Sequence, residues 1–279
     1  MIHISTPSIS NPLSLEATVS RLKDSPLVDG IAEFGSRSTR HVTIASDYDL
    51  LILVKSLPAP VFQMATTIDG RLADIVLVTS ETAEALLTAT EPPQPRSFEA
   101  LFAHKMRVAQ ILYDGSERLH RVKQLVTDET WQVRLSDDQY DSDSYATWFW
   151  QSHGLLHLER MAQSPDPVHL SAVDMMLTAN LSMTWRSYFD TRRVAWEGEK
   201  TAVRYWAKHD EAYLQLVRKC LAATDRNQKL ALYRDLVTRA LEPVGPAFHK
   251  GETAVMLAGS NTKAEVQTTL QYWDGLFNS

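Results

Sequence analysis

The sequence predicts an α+β protein, in which an N-terminal domain with a mixed β-sheet and flanking helices precedes an all-α helical bundle. Three observations lead to this prediction. The first 130 residues alternate between helical and extended patterns. Beyond about Thr127 the strand patterns stop and long segments with a helical period follow. All seven tryptophans, from Trp131 to Trp273, lie in this second part. We therefore expect two differently built domains, residues 1–128 and 129–279.

The elements of the first domain follow from local patterns. Helices are predicted where apolar residues recur at helical spacing, with a plausible Ser14 cap at the first, and strands where short apolar runs stand between turn residues. Asp69-Gly70 between two apolar runs predicts a hairpin. The predicted elements are a helix at Leu15–Lys23, strands at Val28–Phe34, Asp47–Lys55, Val61–Thr67 and Leu72–Thr79, helices from Glu81 and over Phe98–Val108, and a strand at Ile111–Gly115.

The second domain consists of helices punctuated by prolines. A polar, acidic segment, Ser136–Ser144, comes first, and we expect it to be a linker before the bundle. The predicted helices are Tyr145–Ala162, Leu170–Arg192, Thr201–Ala223 and Gln228–Leu241.

Composition excludes several classes of protein. With 279 residues and 44% apolar content the chain can bury a substantial core. A net charge of -6 lacks the basic footprint of a nucleic-acid binder. One cysteine excludes an intramolecular disulfide framework, and no apolar run approaches the roughly 20 residues of a membrane span. Met1–Ser10 does not have the order of a secretory signal, so we expect a cytoplasmic protein that binds neither membrane nor nucleic acid.

The segment from Phe34 to Asp49 carries the sharpest chemical pattern. Gly35-Ser36 is followed after ten residues by Asp47-Tyr48-Asp49. In a strand the two aspartates point to the same side, where their carboxylates repel each other unless a cation lies between them. Oxygen ligands favour a hard divalent cation, above all Mg²⁺. Gly35 permits close approach of the backbone, and Ser36 can donate to a phosphate. The pattern predicts metal-assisted phosphoryl chemistry on a nucleoside triphosphate.

Asp74 is a lone acid in the apolar strand after the predicted hairpin. Acids in such strands are rare unless they are paired or metal-bound. If this strand lies beside the one that carries Asp47 and Asp49, Asp74 becomes either a third metal ligand or the base that deprotonates an attacking hydroxyl.

These residues resemble the Gly-Ser, spacer, Asp-x-Asp signature of the DNA polymerase β-like nucleotidyltransferase superfamily. The resemblance covers roughly residues 28 to 80, and Gly35, Ser36, Asp47, Asp49 and Asp74 match its motif positions. It implies a mixed sheet with flanking helices, two Mg²⁺ ions, and transfer of a nucleoside monophosphate with release of pyrophosphate.

A second resemblance lies in the helical half. Lys200-x-Ala-x-x-x-Trp206-Ala207 is similar to a segment of streptomycin/spectinomycin adenylyltransferases, an aminoglycoside-modifying branch in which the lysine contacts the triphosphate. Those enzymes have an arginine about thirteen residues earlier. Arg186 is the nearest candidate, with Arg192 and Arg193 also close. The resemblance implies that Lys200 and an arginine neutralise the nucleotide from the second domain.

The function that follows is transfer of a nucleoside monophosphate, AMP from ATP being the first expectation, onto a hydroxyl of a small molecule such as an aminoglycoside-like antibiotic. We expect the acceptor to lie against tryptophans such as Trp148, Trp150 or Trp196. The alternative is a minimal-nucleotidyltransferase type of antitoxin or regulator, which adenylylates or binds a partner protein. A folded relic without activity is a third possibility, which the complete three-acid pattern argues against.

Three weaker features have two interpretations each. His104-Lys105-x-Arg107 adds positive charge for phosphates or forms a solvated basic face. His153 and His157 have the spacing of two metal ligands, or are two ordinary histidines of the bundle. The acidic residues of the predicted linker attract a cationic acceptor or cap a helix. They are Asp137, Asp138, Asp141 and Asp143.

Overall fold

The computed structural model describes residues 14–276 apart from 36–45, 60, 62, 130 and 260. Contacts within the chain divide it into two compact units, residues 1–134 and 135–279, called unit 1 and unit 2 below. Trp131 and Val133 pack on the core of unit 1, so the first tryptophan belongs to the sheet-containing unit. The α+β class predicted from the sequence is confirmed, since strands and helices build unit 1 and helices build unit 2.

Unit 1 contains a five-stranded mixed sheet with the strand order β3-β4-β2-β1-β5. β2 and β4 are parallel, and the other neighbouring pairs are antiparallel. The strands are β1 Val28–Phe34, β2 Tyr48–Val54, β3 Met64–Ile68, β4 Arg71–Thr79 and β5 Gln110–Asp114. The helices of this unit are α1 Leu15–Lys23, α2 Ser80–Thr88, α3 Phe98–Val108 and α4 Arg118–Thr127.

The hairpin between β3 and β4 forms at Asp69-Gly70, as predicted. Both residues have positive φ, 52° and 71°, which is the requirement of a tight hairpin turn that matches the twist of the strands. Asp69 also anchors this turn, because its Oδ2 accepts hydrogen bonds from the Tyr48 hydroxyl at 2.6 Å and from the Leu15 backbone N–H at 3.2 Å. The turn is thereby tied to the start of β2 and to the first turn of α1.

Each face of the sheet has its own apolar core. On one face, Ala32, Leu51 and Val76 pack with residues of α2, α3 and α4, including Phe102 and Met106. On the other, alternate residues of the same strands pack with α1. That second set includes Ile31, Leu50, Ile52, Ile75, Val19 and Leu22. A residue's position along a strand therefore decides which face its side chain joins.

The regular secondary structure in the described residues of unit 2 is helical, and the core of this unit is rich in aromatic side chains. Trp206, Tyr213 and Tyr233 are among its most completely buried side chains. Its helices are α5 Asp137–Ala162, α6 Pro167–Asp190, α7 Glu199–His209, α8 Glu211–Ala222, α9 Arg226–Leu241 and α10 Lys263–Gly275. Within the part of the chain that the structure describes, no helix has both the length and the apolar character needed to span a membrane.

Two of the predicted helices differ from the observed ones for local reasons. α5 begins at Asp137 rather than Tyr145, because Ser136 and Gln139 form a capping box that starts the helix within the predicted linker. The predicted helix Thr201–Ala223 is interrupted at Asp210, whose backbone, with φ -154° and ψ 67°, is not helical. α7 therefore ends there, and the Asp210 side chain caps α8. Asp210 Oδ1 accepts a hydrogen bond from the Tyr213 backbone N–H at 3.1 Å.

Candidate functional site

Two of the predicted acids are neighbours on adjacent strands of unit 1. Asp49 of β2 is paired in register with Asp74 of the parallel strand β4, and on its other side with Phe34 of β1. Residues in register on neighbouring strands point to the same face, about 4.8 Å apart. Leu51 and Val76, two residues further along, lie in the core covered by α2, α3 and α4. The two carboxylates therefore share that face of the sheet, and both are half-buried.

Gly35 lies against this pair. It follows β1 directly and has a φ of +74°, in the left-handed region that favours glycine. A β-carbon built on Gly35 would overlap with Asp49 Oδ2 and come within 2.8 Å of Asp49 Cγ. Any side chain at this position would displace the carboxylate. The close approach of Gly35 to Asp49 thus explains why the motif places a glycine here.

Of the two remaining motif residues, the structure describes Asp47 but not Ser36. Asp47 directly precedes β2 and is half-buried, and Ser46 before it is buried, with its carbonyl accepting a hydrogen bond from Arg71 Nη1 at 3.5 Å. Ser36 lies outside the described residues. The structure therefore brings Gly35, Asp49 and Asp74 together and places Asp47 two residues from the pair, while the predicted roles of these residues stay predictions.

Tyr48, between the two aspartates of the motif, fixes the start of β2. It belongs to the core of the opposite face, where its hydroxyl is bonded to Asp69 at the hairpin. Because side chains alternate along a strand, anchoring Tyr48 on one face holds Asp49 on the other. A buried tyrosine in the middle of the motif thus serves to orient the acid beside it.

Lys105 of α3 is a basic residue on the same face of the sheet as the acid pair. Its Nζ lies 3.9 Å from the centroid of the Phe34 ring, and Phe34 is the register neighbour of Asp49. Burial lowers the pKa of Lys105, and the charges of Asp49 and Asp74 act in the opposite direction. The sequence pattern left two interpretations of Lys105, positive charge for phosphates or part of a solvated basic face. Its place on the acid face follows only from the packing of α3.

The donor set fits a magnesium ion. Among the described residues no group of three or more His, Cys, Asp or Glu side chains is placed to hold a metal ion alone. Mg²⁺, however, is commonly bound by one or two carboxylates, with substrate phosphates and water completing its octahedron. Asp49 and Asp74 supply two carboxylates in adjacent positions, which is this kind of partial site.

Unit 2 holds the residues predicted to contact the triphosphate. Lys200 is exposed in the first turn of α7, whose cap residue is Gly198. Arg186 of α6 is exposed and lies over the ring of Trp196, 5.6 Å from its centroid. Trp196 is four residues before Lys200 in the chain. Both basic residues therefore flank the segment that leads into α7.

The two other arginines considered for this role have structural contacts. Arg192 Nη1 donates to the Ala240 carbonyl at 3.1 Å, and its guanidinium lies over the Tyr188 ring, 3.8 Å from the centroid. Arg193 pairs with Asp137 at 2.6 Å and Asp141 at 3.2 Å in the first turns of α5. These contacts favour Arg186 over both as the arginine for a ligand.

The tryptophans expected to contact an acceptor differ in their packing contacts and in their exposure to solvent. Trp148 packs edge-on against Phe248 and donates its indole N–H to the Pro246 carbonyl at 2.7 Å. Trp196 packs edge-on against Phe189. Trp150 is 53% exposed. Of the three, Trp150 is the one that offers a large open surface.

A cavity of about 590 Å³ lies within unit 2. Its walls come from α8, α9 and the turn after α9, and no tryptophan contributes to them. The lining includes Tyr213, Leu216, Asp235, Arg239, Glu242 and Pro246. Of the tryptophans predicted to contact an acceptor, Trp148 is hydrogen-bonded to one lining residue, Pro246.

The weaker histidine feature is a stack of rings on α5. The planes of Phe149, His153 and His157 are nearly parallel, with centroids 6.1 Å and 6.3 Å apart. His157 Nδ1 lies 3.0 Å from a guanidinium nitrogen of Arg160. Burial, Arg160 and His153 all lower the pKa of His157, which favours its neutral form. These contacts of His153 and His157 are packing contacts between residues of α5.

Comparison with known proteins gave one kind of match. The sequence matches no family model and no curated protein. Among solved structures, the chain is similar to a nucleotidyltransferase-like protein from Exiguobacterium sibiricum 255-15. The two share 12% identity with a TM-score of 0.41, and the match covers 82% of this chain and 73% of the other.

Proposed function

We propose that the protein is a metal-dependent nucleotidyltransferase that moves a nucleoside monophosphate, AMP from ATP, onto a hydroxyl of a small-molecule acceptor. The observation that carries this proposal is the in-register pair of Asp49 and Asp74 with Gly35 held against the Asp49 carboxylate. Two carboxylates beside a glycine turn form a site for a cation that is itself bound to phosphate oxygens.

In this reaction the acceptor hydroxyl oxygen attacks the α-phosphorus of the nucleotide. The new bond joins that oxygen to phosphorus, the bond from phosphorus to the bridging oxygen of the β-phosphate breaks, and pyrophosphate leaves with the bonding electrons. The proton of the hydroxyl passes to a carboxylate, for which Asp74 is the candidate if it is not a third metal ligand. Bound Mg²⁺ supplies charge neutralisation on the phosphates.

Asp47 and Asp49 are assigned to hold the cations, with two ions expected, and Gly35 and Ser36 to receive the phosphates through the backbone. Lys200 and Arg186 are assigned to neutralise the triphosphate oxygens. Support for this last assignment is the exposure of both side chains beside the N-terminal end of α7, where the helix dipole also favours an anion.

The test is release of pyrophosphate from labelled ATP with Mg²⁺, against a panel of aminoglycosides and lincosamides. We expect release that depends on one acceptor class, and a loss of at least about 10²-fold in the double variant D47N/D49N. Glu81→Gln, which changes an exposed acid in the first turn of α2, is the matched control and should retain activity.

If no acceptor in the panel causes pyrophosphate release, the result would count against a small-molecule transferase. Labelling of a co-purified protein instead would favour the regulatory alternative. Undiminished transfer by D47N/D49N would refute the assigned site whatever the acceptor is.

A further inference from the structure

The ammonium group of Lys105 occupies a defined place on the acid-bearing face of unit 1. α3 packs on this face through Phe102, Ala103 and Met106, all buried in the same core as Phe34. Lys105 lies between Ala103 and Met106 in the chain, is half-buried, and has its Nζ 3.9 Å from the centroid of the Phe34 ring. The aromatic ring and the surrounding core hold the charge of the lysine above the C-terminal end of β1.

The row Phe34, Asp49 and Asp74 connects this ammonium to both acids. The three residues are register neighbours on β1, β2 and β4, and they share one face. Neighbouring strands are about 4.8 Å apart, so a cation above Phe34 lies about one strand spacing from Asp49 and about two from Asp74. Both acids act electrostatically on Lys105, and they counteract the fall in its pKa that burial causes.

We propose that Lys105 is an internal counter-ion of the Asp49–Asp74 pair, and that it limits how tightly this pair binds a divalent cation in the absence of nucleotide. The inference rests on the metal-binding part of the proposed function. Two carboxylates on adjacent strands repel each other, and one fixed positive charge reduces that repulsion. The same charge repels an incoming divalent ion. Lys105 is thus a positioning residue, since it acts through the acids.

A consequence is that metal binding favours the complex with nucleotide. Phosphate oxygens bring negative charge that offsets the repulsion from Lys105, so the cation is held more tightly with the triphosphate than alone. In this arrangement the fold of unit 1 does not depend on a cation to separate the acids.

The experiment measures binding of Mn²⁺ alone, as the paramagnetic substitute for Mg²⁺, by water-proton relaxation on the full chain. We expect Lys105→Met to bind Mn²⁺ about tenfold tighter, as removal of one charge near a divalent ion predicts. Lys105→Arg should remain close to the original protein. Lys105→Met combined with Asp49→Asn should lose the gain, which locates the ion at the acid pair.

The matched control is Lys123→Met. Lys123 is also half-buried in unit 1 but belongs to α4, where its Nζ donates to the Ala109 carbonyl at 2.6 Å. Its replacement should leave Mn²⁺ affinity unchanged. Equal affinities of Lys105→Met and the original protein would overturn the proposal, as would an equal gain from Lys123→Met.

If Lys105→Met does not fold, the double variant with Asp74→Asn decides the question. We expect removal of one acid to restore a melting temperature near that of the original protein, because the uncompensated repulsion is gone. A double variant as unstable as Lys105→Met would assign Lys105 to packing alone and overturn the proposal. Tighter Mn²⁺ binding without any pyrophosphate release would keep this inference and refute the proposed function instead.

Discussion

The two units use charge and polarity in different ways. In unit 1, Asp49, Asp74 and Lys105 lie at the edge of an apolar core and interact as charges across a sheet face. In unit 2, buried polar side chains bond to one another. Gln151 Nε2 donates to Ser187 Oγ at 2.9 Å, and Thr184 Oγ1 donates to Gln151 Oε1 at 3.0 Å.

This difference distinguishes the candidate site of unit 1 from the packed core of unit 2. Buried polar groups that hydrogen-bond to one another stabilise the fold, and few of their donors and acceptors remain for a ligand. Like charges placed side by side cost stability, and such an arrangement is typical of sites that bind cations. The comparison predicts that substitutions in unit 1's acid row change activity more than stability, and that those in unit 2's network do the reverse.

The largest expected effect comes from Gly35→Ala. The added methyl overlaps with the Asp49 carboxylate, so we expect a fall of about 10²-fold in nucleotide transfer. Gly70→Ala is the matched control, since Gly70 has nearly the same φ, +71°, but open space around its Cα. It should cost about 1 kcal/mol of stability, with transfer unchanged. Nucleotide transfer at the original rate in Gly35→Ala would contradict this prediction, because it would mean that the contact between Gly35 and Asp49 does not matter for activity.

The next effect is in unit 2, at Asp210. This carboxylate caps α8 through the Tyr213 N–H, accepts the Tyr188 hydroxyl at 2.9 Å and pairs with Arg239 Nε at 3.4 Å. Asp210→Ala should cost about 2 kcal/mol in chemical denaturation followed by tryptophan fluorescence. That signal reports unit 2, because six of the seven tryptophans follow residue 134. Asp210→Asn keeps a capping oxygen and should cost less.

Asp210 also gives unit 2 a dependence on pH. Burial alone would raise its pKa, but the hydrogen bonds from Tyr188, Tyr213 and Arg239 outweigh burial and lower it. A lowered pKa means that the contribution is complete above the unfolded value of about 4 and is lost as pH falls through the folded value. The difference in stability between the original protein and Asp210→Ala should therefore shrink below about pH 4. A difference that grows on acidification would contradict this account.

The smallest effect is expected from Gln151→Leu. The change removes a partner from Ser187 and from Thr184, but each hydroxyl keeps a backbone carbonyl, that of Met183 and that of Asn180. We expect a loss of about 1 kcal/mol and unchanged transfer. Gln267→Leu on the exposed side of α10 is the control and should leave the unfolding midpoint in place. A loss of activity in Gln151→Leu at unchanged stability would contradict the comparison, because it would give the hydrogen-bond network of unit 2 a role in function.

Much of the fold was predictable because local patterns fix local structure. β1 and α3 occupy the predicted residues, and the Asp69-Gly70 hairpin forms as its turn chemistry requires. α4 was missed because its start carries no usual signal. Glu117 at its cap is left-handed and makes no side-chain hydrogen bond to the helix, and Asp114, further back, accepts from the His120 N–H instead. α10 was not predicted either.

The sequence by itself determined the α+β class, the spacing of Gly35, Asp47 and Asp49, and the presence of a lone acid at Asp74. Those features depend on the periods of strands and helices, which adjacent residues reveal. Only the tertiary structure decided that β2 and β4 are parallel with Asp49 opposite Asp74, that Gly35 touches that carboxylate, and that Lys105 joins the same face. Strand register and helix packing join residues far apart in the chain, so their outcome depends on burial of the whole core rather than on any local pattern.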